Sequence, residues 1–249
     1  MADTFMMMHP KVRVLSEGAG SLDCARKITE LHRPCDIMAS ADYAVIDRWL
    51  IPDHARENIP FARNEMAIVY TSKSQFSQEI NIHNWQEVLL RPQVYIGRAD
   101  PHADPCGYRT LITLKLAGCE AEIKAKKNQF MRPKEVDLLA LLETGSVDYL
   151  FLYKSVAIQH GLPYITLNDS INLSKVALAQ HYASVGVTIR GNTPSDSLYM
   201  EGAPMVYSFV VLKEAPNREV AQAFADYLID PKGGLAIMER MGQTPIYEP

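Results

Sequence analysis

The chain has no run approaching the roughly 20 apolar residues that a membrane-crossing helix needs, and residues 1–8 lack the basic flank and long apolar centre of an export signal. Basic clusters are equally scarce: none is longer than Lys124–Lys127, and the formal net charge is −4. A nucleic-acid partner needs a basic face, so no nucleic acid is expected here. Only 4 cysteines occur, Cys24, Cys35, Cys106 and Cys119, with no C-x-x-C pair and no adjoining histidine cluster. That spacing argues against structural zinc or a redox couple, and buried free thiols are expected, with one disulfide as the alternative. No nucleophile–base pairing or cofactor motif is visible, so neither enzymatic chemistry nor a cofactor is expected. Internal repeats and low-complexity stretches are also absent. What remains is an ordinary globular composition, 47% hydrophobic and 22% charged over 249 residues, enough for one large domain or two lobes with real cores.

Hydrophobic periodicity supplies the elements. Lys11 to Leu15 alternates like a short strand; Gly18-Ala19-Gly20-Ser21 then opens a helix with apolar positions Leu22, Ala25, Ile28 and Leu31. Strands are expected at Asp36–Ala39, Glu65–Tyr70, Val94–Gly97, Val147–Leu152 and Met205–Leu212, and helices at Trp85–Leu90, Arg218–Ile229 and Gly234–Met241. Asp104 before Pro105 is a strong helix start, with the helix running to about Cys119. Arg132-Pro133 starts another, which Gly145 stops. Strands alternating with helices argue for α/β layers with largely parallel sheets.

Three turns place a small or capping residue at a helix start: Gly20-Ser21, Asp104-Pro105-Cys106-Gly107 and Arg132-Pro133-Lys134-Glu135. Free N–H groups and the helix dipole at such starts favour an anion, although each turn also reads as simple capping. Asp104 and Glu135 then pose a problem, because a carboxylate is a poor neighbour for a bound anion unless the anion has an electrophilic centre. Their bland reading is capping and first-turn stabilisation. Tyr153, at a strand end, is either a hydroxyl donor or an ordinary core-edge aromatic.

Taken together, Gly18–Ser21 with Ala25–Leu31, Asp36–Tyr43, Asp104–Arg109, Arg132–Glu143 and Tyr149–Ser155 closely resemble, in unbroken order from about His9 to Pro245, the tungstate/molybdate-binding proteins of ABC importers. The resemblance implies a type II periplasmic-binding-protein fold, two α/β lobes joined by two crossovers that close on the ligand. It implies that Ser21 donates its hydroxyl and a neighbouring N–H from the first lobe, and that Asp104 acts from the second with the N–H groups near Cys106 and Gly107. Glu135 and Tyr153 complete that ligand set. In the archaeal-type members the two carboxylates, here Asp104 and Glu135, reach the tungsten or molybdenum itself and add oxygens to its shell, which sulfur does not accept.

The implied protein is an extracytoplasmic solute-binding protein, periplasmic or on the cell surface, a monomer that passes its oxyanion to a membrane permease. The alternative is an oxyanion-sensing effector domain of a regulator. Lobe 1 is expected from residues 1–73 and 205–249 and lobe 2 from 74–204, because the polar break Thr71–Ser74 and the strand runs fall there. Relative to the family, the export signal, the first strand and its serine-bearing loop have no counterpart, so the first strand is expected to be missing. The stretch between Gly118 and Arg132 is shorter than in many relatives.

Overall fold

The computed structural model describes residues 1–133, 135–191 and 196–247. It divides into two compact units, one from residues 1–63 and 206–249 and one from residues 64–205, so the chain passes between them twice.

The first unit begins with α1 (Ala2–Met8), α2 (Ser21–Thr29), β1 (Ile37–Ser40), α3 (Tyr43–Trp49) and β2 (Ile59–Arg63). The second unit carries β3 (Met66–Tyr70), α4 (Trp85–Leu90), β4 (Ile96–Ala99), α5 (Pro105–Leu116), α6 (Glu120–Ala125), β5 (Gln129–Arg132), α7 (Glu135–Glu143), β6 (Tyr149–Tyr153), α8 (Lys154–Gln159), β7 (Tyr164–Thr166), α9 (Ala179–Tyr182) and the hairpin β8 (Gly186–Arg190) with β9 (Ser197–Glu201). The chain then returns to the first unit with β10 (Val206–Val211), α10 (Arg218–Ile229), α11 (Gly234–Arg240) and β11 (Thr244–Pro245).

In the first unit the sheet order is β1-β10-β2-β11, and every neighbouring pair is antiparallel. Its core gathers Phe61, Phe209, Ala225, Leu228, Leu235 and Met238, with the Phe61 and Phe209 rings 5.6 Å apart edge to face. The α2 stripe Leu22, Ala25 and Ile28 is buried as its spacing requires. Residues 11–15 are not a strand. The alternation leaves Val12 and Val14 half-buried but pairs with no strand: Leu15 is 78% exposed, and the Val14 N–H meets Met6 Sδ. Ahead of it, Ala2–Met8 is helical, and its Phe5 is buried against Phe224 and Tyr227.

The second unit's five-stranded sheet has the order β5-β4-β6-β3-β7. The pairs β5·β4 and β4·β6 are parallel, whereas β6·β3 and β3·β7 are antiparallel. The sheets are therefore mixed rather than largely parallel. β3 pairs on both sides within this sheet, Met66 opposite Tyr153 and Ala67 opposite Thr166. That pairing moves the expected boundary from residue 73 back to residue 63, because strand partnership outweighs the polar break at Thr71–Ser74. The break is a local turn instead, closed by Ser74 Oγ accepting the Thr71 N–H at 3.0 Å. All 4 cysteines are free, but only Cys106 and Cys119 are buried, so the expectation of four buried thiols holds for half of them.

Candidate functional site

Asp104 starts α5 as its sequence signals. Its backbone is extended, Pro105 occupies the first helical position, and Oδ1 accepts the Cys106 N–H at 2.8 Å. Its carbonyl accepts the Gly107 N–H at 2.9 Å. The two N–H groups that the resemblance assigns to a ligand thus both donate to Asp104 itself. The loop ahead of the cap is wound on Asp100, whose carbonyl accepts the N–H groups of Ala103 at 3.1 Å and Asp104 at 3.0 Å. Gly107 packs against that loop so closely that a Cβ would lie 2.5 Å from Asp100 C and Pro101 N. No side chain fits there.

Cys106 and Arg109 share one face of α5, three residues apart, and both reach β6. The Cys106 Sγ lies 3.6 Å from the Phe151 carbonyl oxygen. Arg109 Nη1 donates to Tyr153 Oη at 3.2 Å, with the guanidinium 5.8 Å from the centre of the tyrosine ring. Tyr153 ends β6 and is buried, as is Arg109. Behind Tyr153 the next turn is locked: Lys154 Nζ pairs with Glu65 Oε1 at 2.6 Å, and Asn64 Nδ2 donates to Ser155 Oγ at 2.7 Å.

Glu135 opens α7 after a turn whose Lys134 lies outside the described residues. Burial, and then the negative charge of Asp104, push its carboxyl up to about 7. The Cys106 thiol is pushed well above its ordinary value by burial and by the Asp104 and Glu135 carboxylates, with Arg109 acting in the opposite sense. Two carboxylates and a guanidinium therefore converge on one buried sulfur, which stays a neutral S–H and is no nucleophile. Among the described residues no group of three or more His, Cys, Asp or Glu side chains is placed to hold a metal cation.

The second unit thus brings together Asp104, Cys106, Gly107, Glu135 and Tyr153. Ser21 belongs to the first unit, at the first position of α2. Its Oγ accepts the Ala41 N–H at 3.1 Å, which uses a lone pair and leaves the hydroxyl proton to be donated elsewhere. Beside it Ser40 Oγ donates to the Asp42 carbonyl at 2.7 Å, and Asp42 caps α3 through the Ala44 N–H at 3.0 Å. Arg109 lies within the Asp104–Arg109 motif, where the sequence pattern by itself assigns it no role. The available signal was its spacing from Cys106 on a helix that is buried all round.

Two α/β units joined by two chain passages, with the half-buried Asp104 and Glu135 at helix starts of the second unit, make up the fold. Solved structures agree on the fold. The periplasmic molybdate-binding protein of Azotobacter vinelandii is similar over 98% of this chain and 91% of its own, with a TM-score of 0.72 at 17% identity. The periplasmic binding protein AfuA of Actinobacillus pleuropneumoniae is similar over 98% and 79%, with a TM-score of 0.68 at 12% identity. The chain belongs to the bacterial extracellular solute-binding protein family, whose sequence model matches residues 1–243. Among its relatives, a solute-binding protein of Petrotoga mobilis is 44% identical, covering 98% of this chain and 78% of that protein. The molybdate/tungstate-binding protein WtpA of Thermococcus kodakarensis is 40% identical over 92% of this chain and 72% of its own length. The family is one of binding proteins rather than enzymes, and no helix among the described residues is long and apolar enough to cross a membrane.

Proposed function

We propose that this protein captures tungstate or molybdate outside the cytoplasm and delivers it to the membrane permease of an ABC importer. The observation that carries the reading is the pairing of Asp104 with Glu135. Two carboxyl groups that feel each other at the starts of two helices oppose a bound dianion through space, and the single Arg109 guanidinium beside them offsets only one of the two charges. An oxyanion whose central atom accepts further oxygens turns the same carboxylates into ligands, so the arrangement suits tungsten and molybdenum and not sulfur or phosphorus. The relatives named as molybdate/tungstate-binding proteins support the same reading.

On this reading Asp104 and Glu135 reach the metal atom, and Tyr153 donates its phenol proton to an oxyanion oxygen. The α5 start near Cys106 and Gly107 faces the same ligand, and Ser21 of the first unit is a further hydroxyl donor. No covalent chemistry is involved, and release to the permease completes the cycle.

Calorimetric titration of the protein with tungstate, molybdate, sulfate and phosphate tests the proposal. Tungstate and molybdate are expected to bind more tightly than sulfate and phosphate by orders of magnitude. Comparable sulfate affinity would overturn it.

A further inference from the structure

Arg109 Nη1 lies 3.2 Å from Tyr153 Oη, and the guanidinium sits at 5.8 Å from the ring centre. The arginine is only 3% exposed and the tyrosine 5%. A guanidinium carries five N–H donors, no acceptor, and never loses its charge in a protein. The direction of this hydrogen bond is therefore settled by chemistry: Arg109 donates and the phenol oxygen accepts. A phenol has a single proton, so that proton is left for an acceptor other than Arg109.

We propose that Arg109 is a positioning residue for oxyanion binding, fixing Tyr153 as a proton donor toward the ligand; this rests on the tungstate/molybdate reading above. Without the guanidinium the phenol could turn and present a lone pair, which would repel an oxyanion oxygen. With it, the charge-assisted bond orients the hydroxyl and polarises its O–H, making it a stronger donor. The placement on the fold agrees with such a role. Arg109 lies three residues beyond Cys106 on α5, and the Cys106 thiol contact to the Phe151 carbonyl already holds this helix against β6. Arg109 thus reaches the last residue of β6 from a helix that is anchored independently of it. It also brings a positive charge to a cluster whose other charges are the Asp104 and Glu135 carboxyl groups, all three acting on the Cys106 sulfur.

A double-mutant cycle read by tungstate calorimetry tests this, with thermal melts to verify folding. Wild type must first bind tungstate; if it does not, the functional reading fails and not this one in particular. Arg109→Gln and Tyr153→Phe are each expected to weaken binding about tenfold, and the double variant no further than Tyr153→Phe alone. Arg109→Lys, which keeps a charged donor, is expected to restore part of the loss. Additive losses in the double variant, or wild-type affinity in Arg109→Gln, would overturn the proposal while leaving tungstate capture intact. Should Arg109→Gln fail to fold, the cycle is run with Arg109→Lys, whose single ammonium cannot both bond the phenol and lie over its ring. A loss seen with Tyr153 present and absent in the Tyr153→Phe background supports the proposal, and an equal loss in both refutes it.

Discussion

Glu135 is half-buried beside Asp104, and its carboxyl is held at about 7 against an ordinary value of 4.5. Coordination of a metal centre requires the ionised form. Tungstate affinity at micromolar ligand is therefore expected to fall about tenfold between pH 8 and pH 6, tracking the fraction of Glu135 that is ionised. Calorimetry across that range checks it. An affinity that instead rises toward pH 6 would mean that protonated Glu135 donates a hydrogen bond to an oxyanion oxygen.

The same shift acts on the unliganded protein. Between 4.5 and 7 the folded state holds a proton that the unfolded chain has released, so this contribution to stability is present below 4.5 and lost as pH rises to 7. The loss amounts to about 3 kcal/mol at most. Glu135→Gln is expected to flatten that slope and to melt at a higher temperature than wild type above pH 7, as melting curves at several pH values will show.

Asp104→Asn separates the charge of this residue from its capping role, because asparagine caps a helix about as well as aspartate. Stability is expected to change by less than about 1 kcal/mol. Tungstate affinity is expected to drop at least tenfold, about the worth of one charged contact. With the Asp104 charge gone, the second cause of the Glu135 shift goes too, so the pH dependence should move to lower pH. Unchanged affinity would reduce Asp104 to a cap.

Gly107→Ala forces a Cβ to 2.5 Å from the Asp100 and Pro101 backbone. The α5 start must shift, at about 1–3 kcal/mol of stability, and the displacement carries Asp104 with it. Denaturant melts and tungstate titration should both register the change.

Thiol chemistry checks burial independently. Cys106 and Cys119 are buried, and desolvation pushes Cys119 to about 11. A thiol reagent is expected to modify Cys24 and Cys35 slowly in the native protein, and the two buried thiols only after unfolding. Fast labelling of Cys106 would contradict the packing of α5 on β6.

Much of the local structure that carries the candidate residues is legible in sequence because its signals are local. Asp104-Pro105 marks a helix start wherever it occurs, and Gly145, at φ +72°, stops α7 where a glycine should. The elements that escape reading depend on partners far along the chain. β5 has only Phe130 and Met131 as apolar residues and exists as an edge strand beside β4; β2 contains Pro60 yet pairs with β10. Strand direction was equally hidden, since β3 joins a parallel trio antiparallel through Met66 opposite Tyr153. Lys11–Leu15 shows the converse error, an alternating pattern with no strand for it to pair with. Arg109 escaped assignment because its meaning lies 44 residues away, in the hydroxyl of Tyr153.

The position of β10 between β1 and β2 governs the order in which this polypeptide can acquire its structure. During synthesis β1 and β2 emerge first, yet neither pairs with the other, and the strand that joins them begins only at Val206. The ribosome must deliver all of residues 64–205 before the first sheet can exist, whereas those residues contain every strand of their own sheet. The later-made unit is thus free to fold while the earlier-made one waits, with two apolar strands open to mispairing until the residues from Val206 onward arrive.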